Sequence, residues 1–256
     1  MSSETDSDQL HAMASTAGYG EAAEALAEQY ESVTFDEVHR EVLRLLPFRP
    51  GSVLDVGAGS GRDAAALAAR GHRVVAAEPT AELRALGRRL HADQEIEWVD
   101  DALPELPGLT AQARRFDLIL LTAVWMHLDA RQRASSMARL VGLLGRGGRM
   151  VLSLRHGPVP AGRRMFPVSA EETISLAQCH GLDVVHETRR EDLHERPGVS
   201  WTHLGLQLDA GRELPGITTQ EQPHTCTGLV IRETGTELQG EASQLSSRMG
   251  RAHGGG

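Results

Sequence analysis

The sequence predicts an α/β fold, a doubly wound mixed sheet that is mostly parallel and carries one late antiparallel strand. Three observations support this prediction. From residue 51 onward, apolar runs of strand length alternate with segments of helical periodicity. Glycines occupy the first strand–helix turn, where such sheets bind ligands. Two later strand-like runs, LDVVHE and VSWTHLGLQL, have no helix between them, which favours antiparallel pairing.

The first predicted elements are helical and precede the alternating region. The segment EAAEALAEQYESVTFDEVHREVLRLLP has helical periodicity, and its second half has one apolar face. Thr34 and Glu37 form a capping box at the start of that half, and Pro47 marks its stop. The apolar face comprises Phe35, Val38, Val42, Leu45 and Leu46.

Five strands are predicted in the alternating region. They are SVLDV, RVVAAE, EIEWVD, FDLILLTAV and RMVLSL. The fourth has a continuous apolar middle, which is typical of a sheet covered on both faces. Each helix between or after these strands has a recognisable start. The predicted starts are Arg62, Thr80, Asp129 with Gln132 as capping partner, and Ser169 with Glu172 as capping partner.

Length and composition predict one folded domain between two tails. The chain has 256 residues, of which 40% are apolar, enough for one sizeable core. Residues 19–208 are the predicted domain, including its N-terminal cap helices, and residues 1–18 are a predicted mobile tail. Residues 209–256 are rich in Gly, Thr, Gln, Glu and Ser and are predicted to be largely disordered. Within them, CTGLVIRE is a weak candidate for one short strand.

Charge and cysteine content restrict the partners and the compartment. The net charge is −9 and all 26 basic residues are arginines, which disfavours broad binding to nucleic acid. No run of 18 apolar residues and no secretory signal pattern is found, so neither a membrane span nor export is expected. Only Cys179 and Cys226 are cysteines, and the twelve histidines lack metal-ligand spacing. These features predict a cytoplasmic protein without a metal.

The glycine loop GAGSG after the first strand has several possible ligands. A P-loop requires a lysine, which the chain lacks. A nucleophile elbow requires a glycine two residues before Ser60, where Ala58 stands. The dinucleotide fingerprint G-x-G-x-x-G would place its third glycine at Arg62, a poor residue for close helix–strand packing. An NAD(P)-dependent oxidoreductase is therefore the less favoured alternative.

The order D-x-G-x-G-x-G, from Asp55 to Gly61, resembles motif I of the class I S-adenosylmethionine-dependent methyltransferases, of the small-molecule type. The segments VVAAEPT, WVDDALPEL, FDLILLTAVWMHLD and LVGLLGRGGRMVLSL resemble the later motifs of that family in the same order. Arg146 departs from the family by standing where proline is common. The resemblance spans roughly residues 19–208, and it implies a Rossmann-like fold.

The resemblance also implies S-adenosyl-L-methionine as the cofactor and a site that holds it. Glycines let the backbone approach the cofactor closely. Glu78 is placed for the ribose hydroxyls, Asp55 for the amino-acid end, and Asp101 for the adenine amino group, with Asp100 as its competitor. The implied cofactor-binding residues are Asp55, Gly57, Ala58, Gly59, Gly61, Glu78, Pro79, Asp101, Ala102 and Thr122.

The methyl acceptor is predicted to be a small molecule, because no added recognition domain and no Asn-Pro-Pro-Tyr motif is found. His127 and His156 are the candidate general bases, since the pKa of histidine lies near neutrality. Arg155 suits a substrate carboxylate. Trp125 is either a pocket residue or a core residue, and Tyr30 either closes over the pocket or packs a helix. A non-catalytic S-adenosylmethionine-binding subunit is a second alternative. The oligomeric state is not predicted.

Overall fold

The structure is a computed structural model that describes residues 19–211. The tail predicted at residues 1–18, the predicted short strand CTGLVIRE and Cys226 lie outside the described residues, as does the tail predicted at 209–256 beyond residue 211. Among residues 19–211, no helix is long and apolar enough to cross a membrane. The same residues contain no cluster of three or more side chains arranged to ligate a metal ion.

Seven strands within residues 19–211 form one mixed sheet in the order β3-β2-β1-β4-β5-β7-β6. The strands are β1 (Ser52–Val56), β2 (Arg73–Ala77), β3 (Ile96–Val99), β4 (Phe116–Leu121), β5 (Leu144–His156), β6 (Leu182–Glu191) and β7 (Ser200–Leu208). The first five strands pair in parallel, and β7 runs antiparallel to both β5 and β6. This sheet confirms the predicted fold class, including the late antiparallel strand.

Helices cover both faces of the sheet. In chain order they are α1 (Ala23–Glu31), α2 (Phe35–His39), α3 (Arg62–Ala69), α4 (Ala81–Leu90), α5 (Pro107–Ala111), α6 (Ala130–Leu143) and α7 (Ala170–Cys179), with 3₁₀ turns at Leu43–Leu45 and Trp125–His127. Alternate residues of β4 enter two separate apolar clusters. Leu118 and Leu120 pack with α2 and α3, whereas Ile119 and Leu121 pack with α5, α6 and α7. Burial on both sides explains the continuous apolar middle of this strand.

The predicted capping signals are mostly present. The boxes at Thr34 and Asp129 are complete, with side chains and backbone bonded in both directions. Ser169 accepts from the Glu172 backbone, but the Glu172 carboxylate pairs with Arg133 at 2.8 Å instead of closing the box. Thr80 stands at the predicted cap position without a side-chain capping bond.

The prediction of one helix extending to Pro47 is wrong. The helix α2 ends at His39, where the backbone N–H of Val42 donates to the His39 carbonyl at 2.8 Å and turns the chain. This turn leaves the His39 side chain buried while Val42 and Leu45 still pack on the sheet. The short helix α5 was not predicted, because five residues are too few to show helical periodicity.

Candidate functional site

A cavity of about 270 Å³ lies at the carboxyl ends of the parallel strands. This edge is where open α/β sheets place their ligands. Helix α1 and the connection between β6 and β7 also contribute to its wall. The lining residues that lie at or just after the ends of the first five strands include Val56, Glu78, Asp101, Thr122 and Arg155.

The glycine loop forms one wall of the cavity. Gly57 and Gly59 have positive φ angles of 68° and 59°, which favour glycine. A Cβ at Gly57 would lie 2.6 Å from Val124, and one at Gly59 would lie 3.2 Å from the Tyr30 ring. Gly57, Ala58 and Gly59, which are predicted to bind the cofactor, line the cavity. Gly61 does not line the cavity and instead lies close to the Trp98 ring of β3.

Gly61 has a packing role at the start of α3. Its φ is 90°, and a Cβ there would lie 2.6 Å from the Trp98 ring. The missing side chain therefore lets β3 and α3 approach each other. The next residue, Arg62, donates to the Asp63 carboxylate at 2.7 Å and to the Tyr30 carbonyl at 3.1 Å.

Glu78 is held rigidly between the glycine loop and the start of α4. Its side chain is 5% exposed. One carboxylate oxygen accepts from the Gly59 N–H at 2.8 Å, and the other accepts from the Thr80 N–H at 2.8 Å. Burial raises the pKa of Glu78, although these backbone donors favour the charged form. The carboxylate is thus oriented toward the cavity, where Pro79 also lies.

A buried polar cluster lies beneath the glycine loop and includes Asp63, which sequence reasoning missed. The Asp63 carboxylate is 2.7 Å from His39, 2.7 Å from Arg62 and 2.7 Å from the Thr122 hydroxyl. Asp55, the first acid of the motif, is 1% exposed and lines the same cavity. Its Oδ2 atom has no hydrogen-bond partner among residues 19–211.

The two acids of this cluster have opposite pKa shifts. Burial, and then the charge of Asp63, raises the pKa of Asp55 well above its ordinary value. Burial would also raise the pKa of Asp63, but His39 and Arg62 hold it below its ordinary value. The unpartnered oxygen of Asp55 is therefore the atom of the cluster that a cationic or hydrogen-bond-donating ligand would stabilise most.

Asp101, rather than its competitor Asp100, lies in the cavity wall. The Asp101 carboxylate accepts from the backbone N–H of Leu109 at 2.9 Å and of Ala102 at 3.2 Å. These bonds tie it to α5 and fix its orientation. Asp100 points elsewhere and pairs with Arg84 at 2.7 Å. Ala102 also lines the cavity, as predicted.

His127 forms a hydrogen-bonded pair with Tyr19 at the cavity wall. Its Nδ1 lies 2.9 Å from the Arg164 carbonyl, an acceptor, so Nδ1 carries the proton. The lone pair of Nε2 therefore accepts from the Tyr19 hydroxyl at 3.0 Å. Burial lowers the pKa of His127 and keeps the ring neutral at pH 7. Tyr19 and Tyr30 both line the cavity, but only Tyr30 was predicted.

The other residues that were predicted to contact the methyl acceptor do not all line this cavity. Trp125 is 0% exposed and donates to the Thr173 hydroxyl at 3.2 Å, so the structure places it in the core. His156 lies 2.8 Å from the Thr202 hydroxyl and borders a second cavity of about 230 Å³. Arg155 lines both cavities.

The connection between β6 and β7 supplies lining residues that sequence reasoning missed. Its Asp192 carboxylate binds the Arg196 guanidinium through two bonds, at 2.9 and 2.6 Å, and accepts from the Trp201 indole at 2.8 Å. Burial would raise the pKa of Asp192, but these partners hold it below its ordinary value. This connection looked only turn-rich in sequence, and no local signal pointed to a binding role.

Comparison with known proteins identifies the domain. Residues 53–148 match the family model for a methyltransferase domain. No curated protein sequence matches the chain. A 1,6-didemethyltoxoflavin N1-methyltransferase from Burkholderia thailandensis, solved with 1,6-didemethyltoxoflavin and S-adenosylhomocysteine, is 23% identical, with a TM-score of 0.54 over 75% of this chain and 91% of that chain.

Two other similar structures share the fold at lower identity. The magnesium protoporphyrin IX methyltransferase of Synechocystis, solved with S-adenosylmethionine, is 13% identical over 81% of this chain and 92% of that chain, with a TM-score of 0.54. The N-methyltransferase NodS of Bradyrhizobium japonicum, solved with S-adenosylhomocysteine, is 17% identical over 71% of this chain and 87% of that chain, with a TM-score of 0.52. These findings agree with the prediction from the motifs: residues 53–148 match a methyltransferase domain, and the chain has the fold of the class I S-adenosylmethionine-dependent methyltransferases.

Proposed function

We propose that the protein transfers a methyl group from S-adenosyl-L-methionine to a nucleophilic atom of a small molecule. The observation that carries this proposal is Glu78, a buried carboxylate at the end of β2 that is bonded to the glycine loop and faces the cavity. A carboxylate fixed in this position can accept hydrogen bonds from the two ribose hydroxyls of the cofactor.

The lining residues fit the cofactor. S-adenosylmethionine carries a sulfonium, an ammonium group, a carboxylate, a ribose diol and an adenine, so its binding site needs hydrogen-bond acceptors and negative charge near the sulfonium, the ammonium and the diol. Four acids line one end of the cavity, namely Asp55, Asp63, Glu78 and Asp101. Asp55 Oδ2 has no partner among residues 19–211, and the glycine loop leaves space that side chains would fill.

The same charges disfavour the dinucleotide alternative. A pyrophosphate would lie close to these four acids and would be repelled. Arg62 stands at the position of the third glycine in the dinucleotide fingerprint. Its guanidinium is already bonded to Asp63 and to the Tyr30 carbonyl. The acids of this cavity therefore favour a sulfonium cofactor over a pyrophosphate.

Catalysis needs mainly alignment and exclusion of water. S-adenosylmethionine supplies, when bound, an electrophilic methyl group whose leaving group is a neutral thioether, so no residue has to protonate it. Glu78 and Asp101 orient the nucleoside part through carboxylates that the backbone already holds in place. Tyr19 and Tyr30 cover the cavity and limit water access.

His127 can act as a general base when the methyl acceptor binds in its protonated form. His127 is neutral at pH 7, and its Nε2 lone pair is directed to the Tyr19 hydroxyl at 3.0 Å. His127 can therefore take a proton through Tyr19 or after the tyrosine moves aside. His156 stays a predicted base, but it borders the second cavity, which makes His127 the better placed of the two.

The acceptor class is proposed from the cavity and from the similar structures. One of them is named for a toxoflavin precursor and one for magnesium protoporphyrin IX, both small molecules. We assign the catalytic unit to residues 19–208. We also propose that the protein is located in the cytoplasm. The presence of only two cysteines in the chain supports that location.

Titration calorimetry distinguishes the proposal from the dinucleotide alternative. We expect the wild-type protein to bind one equivalent of S-adenosylhomocysteine, because the acids and the glycine loop match it. We expect no heat of binding with NADH under the same conditions. Binding of NADH that competes with S-adenosylhomocysteine would contradict the proposal, and so would failure of the folded protein to bind S-adenosylhomocysteine.

A further inference from the structure

Strand β5 contributes an arginine in an unusual position to the cavity wall, and β4 separates this strand from β1, which carries Asp55. Arg155 lies on β5, directly across from Trp201 of β7. It is 8% exposed and stands in the wall between the main cavity and the second cavity. Met126 and Met165 border both cavities beside it. Arg155 thus lines both cavities from a mostly buried strand.

The part of the chain that the structure describes contains no hydrogen-bond or ion-pair partner for the Arg155 side chain. Its Nε atom is fully buried without an acceptor among those residues. Burying a polar or charged group without a partner costs free energy, so such groups are rare and call for an explanation. A ligand that supplies an acceptor is one explanation, since the side chain lines a cavity.

The surrounding acids do not neutralise Arg155. Asp192 is the nearby carboxylate, but both of its oxygens are bonded to Arg196 and it also accepts from Trp201. Arg190, which also lines the cavity, has Glu41 at 4.0 Å and donates to a backbone carbonyl. The charge of Asp192 acts on Arg155, but the charge of Arg196 acts more strongly in the opposite sense, so the Arg196–Asp192 pair does not neutralise Arg155.

Two histidines that line the cavity, His203 and His127, are shifted toward the neutral form. Burial, and then the charge of Arg190, lowers the pKa of His203 to about 3. Burial likewise lowers the pKa of His127. A planar guanidinium with a buried Nε that has no acceptor among residues 19–211 matches a carboxylate, which it can bind through two parallel hydrogen bonds.

We propose that the methyl acceptor is a small monocarboxylate, and that Arg155 binds its carboxylate group. This inference rests on the proposed function, because it takes the cavity to hold the cofactor at its acidic end. The two ends then orient the acceptor. Its carboxylate is drawn to Arg155 and repelled by the acids around Asp55 and Glu78, so the opposite, uncharged part of the molecule faces the cofactor. The apolar side chains Met126, Met165 and Leu193 suit an apolar body.

Binding of a matched pair of probes tests the charge requirement. Benzoate and its neutral counterpart benzamide are titrated into protein saturated with S-adenosylhomocysteine, and inorganic phosphate serves as the alternative anion. We expect benzoate to bind at least about tenfold more tightly than benzamide or phosphate, as a charge-assisted hydrogen bond would provide. Equal binding of benzoate and benzamide would overturn the proposal. Preference for phosphate would overturn the choice of a carboxylate.

Variants of Arg155 assign the effect to this residue. Arg155→Met is expected to weaken benzoate binding at least about tenfold. The affinity of Arg155→Lys for benzoate is expected to lie between those of Arg155→Met and the wild type, because lysine keeps the charge but lacks the planar guanidinium with its paired N–H donors. Arg189→Met is the matched control, since Arg189 is exposed on β6 and does not line the cavity. Unchanged benzoate binding by Arg155→Met, or an equal loss in the control, would contradict the assignment.

Thermal stability separates a ligand-binding role from a structural one. An unpartnered buried cation destabilises the free protein, so Arg155→Met is expected to raise Tm by about 2–4 °C without ligand. A fall in Tm would show that the side chain has a structural role and would overturn the proposal. S-adenosylhomocysteine binding is measured on the same samples. Its absence in the wild type would contradict the proposed function itself, whereas its presence without benzoate selectivity would contradict only this inference.

Discussion

Replacing Glu78 with alanine is expected to weaken S-adenosylhomocysteine binding by about 10- to 150-fold, the range for lost charge-assisted hydrogen bonds. The variant loses the acceptor for the ribose hydroxyls. It also leaves the Gly59 and Thr80 N–H groups without the carboxylate that orients the loop. Titration calorimetry at fixed salt measures the loss directly.

Two further variants show whether the carboxylate itself is responsible. Glu82→Ala removes the same charge from the exposed face of α4 and is expected to leave the affinity unchanged. Glu78→Gln keeps the shape but directs an amide N–H at one of the backbone donors, so it is expected to bind more weakly than the wild type. An affinity of Glu78→Ala within threefold (roughly 0.7 kcal/mol) of the wild type would contradict the assigned role.

Replacing Asp63 with alanine is expected to reduce the free energy of unfolding by about 3 kcal/mol at pH 7, near the lower end for a broken buried ion pair. The variant leaves His39 and Arg62 without their carboxylate and the Thr122 hydroxyl without its acceptor. The variant also removes the repulsion between the carboxylates of Asp63 and Asp55, which offsets part of the loss in the free energy of unfolding. Urea denaturation measures the difference.

The pH dependence of that loss has a definite sign. Because the folded-state pKa of Asp63 is lowered, its stabilising contribution is present above the unfolded pKa of about 4. It is lost as the pH falls through the folded-state value. The difference in free energy of unfolding between wild type and variant should therefore shrink as the pH falls below about 5, where Asp63 begins to take up a proton in the unfolded state.

The control for Asp63 is an exposed ion pair. Asp36 pairs with Arg70 on the surface, where such pairs contribute less than about 1 kcal/mol. Asp36→Ala is therefore expected to change stability little. A loss for Asp63→Ala as small as that of Asp36→Ala would show that the buried cluster does not support the loop.

Features that depend on nearby residues in the chain were predicted well. The positions of the strands, the capping boxes at Thr34 and Asp129 and the turn at Gly57 and Gly59 each follow from a few adjacent residues, although β5 and β6 extend beyond the predicted runs RMVLSL and LDVVHE. The position of Glu78 followed from the motif, because the end of β2 must lie beside the end of β1 in a parallel pair. The sheet order was consistent with the family resemblance.

Features that depend on distant residues were missed. Asp63 meets His39 and Thr122 across long stretches of chain, and Tyr19 reaches His127 from a segment at the edge of the predicted tail. The indole of Trp125 follows a strand end, yet the 3₁₀ turn directs it into the core. Periodicity describes one element at a time and contains no information about which elements meet.

Transfer of a labelled methyl group tests the proposed function most directly. The protein is incubated with methyl-labelled S-adenosylmethionine and the small-molecule fraction of cells that produce it, and the products are analysed by mass spectrometry. We predict that label enters a small carboxylic acid and that S-adenosylhomocysteine is released in equal amount. Tight binding of S-adenosylhomocysteine without label in any small molecule would contradict this, and would identify a non-catalytic cofactor-binding protein instead.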